Sequence, residues 1–94
     1  MSLTTEQRHR TADELHANLV LSGVTEAHLR SDTDLDDHEF REAMHVSSRS
    51  RPEHVWLVRD RLEVLVHAAG KRPVPFTVLT EDKRGPASVW FPLR

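Results

Sequence analysis

Between Pro52 and Gly70 the chain reads PEHVWLVRDRLEVLVHAAG, and Val55, Val58, Leu62, Leu65, Val66 and Ala69 recur at helical spacing. Side chains at this spacing fall on one face of a 3.6-residue helix, so the stretch predicts a long amphipathic helix that other elements must cover. Its limits are also marked. Ser50 and Glu53 have the spacing of a capping box, with Pro52 tolerated in the first turn. Gly70 ends the stripe, and Pro73 and Pro75 forbid its continuation. Trp56, Leu57 and Val64 lie off the stripe, so this helix is apolar over more than one face. The second face calls for cover from the C-terminal segment, which carries Trp90 and Phe91, or from a dimer mate; exchanged arms would combine the two.

Three shorter helices are expected before it. Thr4 and Gln7 suggest a capping box opening a first helix, along which Ala12, Leu15 and Leu19 form one stripe with Leu3 placed to fold back on it. Gly23 ends that helix, because it takes the left-handed conformation without steric cost. Val24 then turns inward, and Thr25 is a good N-cap for a second helix over residues 26–32 with Leu29 as its main core residue. The run DTDLDD interrupts it, since aspartate and threonine side chains bond nearby amides and favour turns. A third helix, residues 36–45, begins with Asp36 and Glu39 as a further capping pair.

After Gly70 the pattern changes. PFTVLTE and SVWFPL are β-branched and aromatic and are separated by the turn-rich DKRGPA, which predicts a β-hairpin or extended arm. Two strands alone are barely stable, so the arm must pack on the helices or on a second copy. The expected fold is therefore mainly α: a four-helix domain over residues 1–73 with a C-terminal hairpin or extension over 74–94.

The stretch GVTEAHLRSDTDLDDHEFREAMHV resembles a repressor-like helix-turn-helix. Leu29 and Phe40 stand 11 residues apart, Leu35 fills the turn, and Ala43 and Met44 supply the next core turn. One departure is Arg30, where a small residue normally lets the two helices touch; either the crossing is looser or the arginine snorkels outward. The chain also resembles, almost end to end, one family of short bacterial proteins known only as domain of unknown function 2316. The segments MSLTTEQR, LSGVT, RPEHVWLVRDRLE and GKRPVPFTVL carry that likeness. It implies a small bacterial helix-turn-helix-like protein and brings no substrate, cofactor or catalytic residue with it.

Charge decides how such a scaffold is used. The net charge is only −2, but residues 24–46 sum to −5, with seven carboxylates against Arg30 and Arg41, while residues 47–73 sum to +3. Clustered charge of this kind steers association. Asp34, Asp36, Asp37, Glu39 and Glu42 against Arg41 give the third helix and its approach a net −4. In a major groove those carboxylates face phosphates, whose neutralisation supplies most non-specific affinity. Two readings follow. In the first, the protein has a regulatory or protein-interaction role, and Asp36, Asp37, Glu39 and Glu42 form a face for a basic partner. In the alternative it is a DNA-binding transcriptional regulator, gripping phosphates through Arg49 and Arg51 in the loop before the fourth helix, with Arg59 and Arg61 extending the patch. Lys71 and Arg72 would enlarge that patch, and Lys83 and Arg84 would form a wing. Part of the acidity has a structural purpose, since carboxylates near a helix N-terminus complement its dipole.

Seven histidines invite a metal reading, because His38, Glu42 and His45 share one helical face, but no fourth ligand is evident and no metal or other cofactor is expected. Protonating all seven would carry the formal charge from −2 to +5, which makes pH-dependent partner choice conceivable. There is no cysteine, hence no disulfide, thiolate metal site or cysteine nucleophile. Gly-x-Ser-x-Gly, a phosphate-cradling glycine loop and His-Glu-x-x-His are all missing, so neither catalysis nor a small-molecule substrate is expected. No run reaches the roughly 20 apolar residues of a membrane span, and residues 1–10 lack a leader's apolar stretch. The expectation is a cytoplasmic protein, paired as a homodimer.

Overall fold

The computed structural model describes residues 3–80, and the elements within them are four helices: α1 (Thr5–Ser22), α2 (Glu26–Thr33), α3 (Asp37–His45) and α4 (Pro52–Ala68). Most of their ends follow the local chemistry. The Thr4 side chain accepts from the Gln7 amide at 3.1 Å while the Gln7 side chain accepts from the Thr4 amide at 2.9 Å, the reciprocal pairing of a capping box. Gly23 closes α1 at φ +76°, and Thr25 caps α2 by accepting from the His28 amide. Asp36 and Glu39 cap α3 in the same reciprocal way as α1.

Two helix ends depart from expectation. Ser50 does not cap α4: its hydroxyl donates to the Ser47 carbonyl at 2.7 Å, and the helix begins one residue later, with Arg51 in the N-cap position and no side-chain cap. Serine side chains bond whichever nearby backbone groups are within reach, and here the preceding turn holds the hydroxyl away from the helix amides. At the end of α3, Val46 takes the left-handed conformation at φ +47°, where glycine is usual. It does so while almost wholly buried, so its packing holds a backbone shape that a β-branched residue disfavours.

α4 is the axis of the fold. It packs along α1 and is also the main support of α2 and α3, while α3 leans on α1 as well. Leu15, Leu29, Val55, Val58, Leu62, Val66 and Leu79 are fully buried between these elements, and Leu35, Phe40, Ala43 and Met44 complete the core beneath α3. α2 and α3 barely pack against each other. Arg30 explains part of this. Its guanidinium turns outward toward Asp37, with Nε 3.9 Å from the carboxylate, so no small residue lets the two backbones approach.

The expected hairpin is not seen as far as the structure describes it. Residues 71–80 form no strand; they run irregularly over α1 and α4. Their backbone groups are satisfied by helix side chains instead of a ladder. Asn18 pairs with both the amide and the carbonyl of Val74. Glu14 accepts from the amide and hydroxyl of Thr77, and Arg59 donates to the Leu79 carbonyl. Phe76, Val78 and Leu79 are buried by this arrangement. The second arm, with Lys83, Arg84, Trp90 and Phe91, lies outside the described residues. None of the helices described is long and apolar enough to cross a membrane.

Candidate functional site: two clefts beside the third helix

The four arginines proposed for phosphate contact do not form one patch. Arg59 is withdrawn from the set by burial, since its side chain is 4% exposed. Its Nε donates to the Leu79 carbonyl at 2.8 Å, and Nη1 donates to Asp60 at 2.9 Å and Glu63 at 3.1 Å. The guanidinium also sits over two rings, 5.1 Å from the Trp56 centroid and 4.7 Å from that of Phe76. Arg59 is therefore an internal bolt between α4 and the segment after it. Trp56 is buried in the same place within a single chain, so its cover does not depend on a dimer mate. Arg61 points elsewhere, 3.4 Å from Asp32 on α2.

Arg49 and Arg51 stay together on the loop between α3 and α4, but not alone. They line a cleft of about 170 Å³ with Ser50, His54 and three residues of α3: His38, Glu39 and Glu42. Arg51 is partnered by Glu53 at 3.6 Å. The sequence placed acidic and basic candidates in separate proposals; the fold puts both signs in one cleft.

The acidic set divides as well. Asp36 and Glu39 spend part of their hydrogen-bonding capacity on the α3 cap. Glu42 accepts from the Ser47 hydroxyl at 2.7 Å, tying the helix to the loop that follows. Asp37 pairs with Arg41 at 2.7 Å and lines a second cleft, of about 210 Å³, on the other side of α3. There it joins His16 from α1, Glu26 from α2, and Phe40, Arg41, Met44 and His45 from α3. The His16 and His45 rings are 5.7 Å apart and tilted by 40°. The His16 Nδ1 lies 2.8 Å from the Ala12 carbonyl; with the proton on Nδ1 it donates there and Nε2 is left to accept. Sequence reasoning missed His16 and Glu26 as site residues. Nothing local marks them, because their neighbours come from another helix.

The metal candidate separates along the same line. His38 and Glu42 border the α3–α4 cleft, whereas His45 borders the α1–α3 cleft. Among the described residues no group of three or more histidine, aspartate or glutamate side chains converges in a way that could hold a metal ion.

Comparison with known proteins gives a family and nothing finer. No curated protein and no solved structure matches the chain. One family model does, over residues 1–92, nearly the whole length, under the description Uncharacterized protein conserved in bacteria (DUF2316). With four helices in the order read from the sequence and a match covering almost every residue, the chain belongs to this bacterial family of uncharacterised proteins.

Proposed function

We propose that the protein is a regulatory interaction module that docks a basic segment of a protein partner along α3 and does not read DNA with that helix. The observation carrying this reading is that Arg49 and Arg51 share their cleft with Glu39 and Glu42. A phosphate entering there meets carboxylates beside the arginines, and the other side of α3 offers Glu26 and Asp37. DNA affinity depends on an excess of positive charge, and the carboxylates of each cleft match or outnumber its arginines. A protein segment carrying basic residues meets carboxylates on both sides of α3, Glu26 and Asp37 on one and Glu39 and Glu42, beside the two arginines, on the other. Such complementarity mainly speeds encounter and selects partners.

The short α2–α3 connection and the burial of Leu29 and Phe40 on the same core support a loose helix-turn-helix scaffold put to this use, loose because α2 and α3 barely pack on each other. A second reading, a transcriptional regulator contacting phosphates through the loop at 48–51, draws on Arg49. That cation makes no ion pair among the described residues.

A fluorescent, lysine- and arginine-rich peptide titrated at low salt separates the two readings. Binding that weakens in the Glu39→Gln plus Glu42→Gln variant is expected, because both substitutions keep hydrogen-bonding capacity and remove charge. No binding of the peptide, together with tight binding of duplex DNA, would reverse the assignment.

A further inference from the structure

We infer that the α1–α3 cleft is a receptor for one arginine side chain of the docked partner. This inference rests on the interaction reading above and gives it a residue-level anchor. The cleft is about 210 Å³, below the ~300 Å³ at which small-molecule pockets begin, so a single long side chain suits it better than a cofactor.

Its walls specify what kind. Phe40 and Met44 are buried and supply an apolar floor along which a methylene stem can lie. The imidazoles of His16 and His45, one from each wall and 5.7 Å apart, bring two planar rings to the lining, against which a planar cation can stack. Two carboxylates complete the lining. Glu26 stands exposed in the first turn of α2 and makes no ion pair among the described residues. Asp37 is shared, since Arg41 holds it at 2.7 Å and Arg30 approaches at 3.9 Å.

Charge favours a cation over an anion. Asp37 is matched by Arg41 within the lining and by Arg30 beside it, so Glu26 is the carboxylate left to pair with an incoming cation. Lysine satisfies the carboxylates but not the flat imidazole faces, and its compact, strongly hydrated ammonium is the poorer fit. The charged groups facing the two histidines are Glu26 from α2 and Asp37 and Arg41 from α3.

The test is a nuclear magnetic resonance titration of the whole chain with millimolar N-acetylarginine amide, and separately with N-acetyllysine amide, at pH 8. The arginine probe is expected to shift His16, Phe40, Met44 and His45 together, with lysine weaker. Glu26→Gln is expected to weaken binding by about threefold, the worth of one exposed charge pair. Shifts confined to Glu39, Glu42 and the loop at 49–51 would overturn the arginine receptor and leave the interaction reading standing. Silence toward arginine while the basic peptide still binds would do the same. Silence toward arginine, lysine and the basic peptide alike would remove both.

Discussion

The Asn18 side chain and the Val74 backbone form a reciprocal pair: Nδ2 donates to the Val74 carbonyl at 3.1 Å, and the Val74 amide donates to Oδ1 at 2.8 Å. Asn18 is completely buried, and its Nδ2 also donates to the Glu14 carbonyl at 2.9 Å. One side chain from the middle of α1 thus fixes where the chain goes after α4. Asn18→Ala leaves both Val74 groups without this partner, at a cost of about 1–3 kcal/mol. Urea unfolding followed by circular dichroism measures the loss. An unchanged midpoint would mean that the segment over residues 74–80 is held by its apolar contacts alone.

Arg59 predicts a second, larger effect. Arg59→Ala removes a donor to the Leu79 carbonyl, contacts with two rings and the partner of Asp60 and Glu63. The two carboxylates are partly exposed and recover some hydration, so about 2–3 kcal/mol is expected, toward the upper end for hydrogen bonds to charged groups. Arg59→Lys should recover little of it, because an ammonium cannot fork between carbonyl and carboxylates while lying over rings. Thermal melts of the three proteins provide the comparison. Equal stability of Arg59→Lys and the parent would show that charge alone matters there.

The helix caps give a paired prediction. Asp36→Ala removes the acceptor of a 2.7 Å bond from the Glu39 amide and should cost about 1 kcal/mol. Glu53→Ala should stay within about 0.5 kcal/mol, because Glu53 caps nothing and only pairs with Arg51 at the surface. Chemical denaturation of both variants checks the order, and a reversed order would restore the capping box that the sequence suggested around Ser50.

Arg49 and Arg51 are exposed on their loop. Charge reversal of both should leave stability within about 0.5 kcal/mol per site. A calorimetric melt of the double variant Arg49→Glu plus Arg51→Glu establishes this before it is used in any binding comparison. A large fall would show that the loop has a structural role.

These relationships also show what a reader of the sequence can and cannot see. The caps at Thr4, Thr25 and Asp36 were legible because donor and acceptor lie three residues apart, and the stripes of α1 and α4 because burial follows helical period. Ser50 misled because its hydroxyl, expected to accept from the Glu53 amide, donates to the Ser47 carbonyl, equally close in the chain, and is held in the preceding turn. Asn18, Glu14 and Arg59 gave no signal at all: each bonds to a backbone group 20 to 63 residues away, and no local pattern encodes that. For the same reason β-branched residues near 77–79 resembled a strand, although helix side chains satisfy that stretch. The candidate site was half legible. The carboxylates of α3 could be counted, but not their division between two clefts, nor the arrival of Arg49 and His54 on one side and His16 on the other.

The proposal that α3 docks a basic protein segment carries with it that the charge along α3 disfavours DNA there. Fluorescence anisotropy of the protein with random-sequence duplex DNA at low salt and pH 8 tests it most directly, because low salt gives phosphate attraction its greatest strength. The account predicts no binding at concentrations where the basic peptide is bound. Salt-sensitive binding that Arg49→Glu plus Arg51→Glu abolishes would contradict it and make the loop before α4 a phosphate grip.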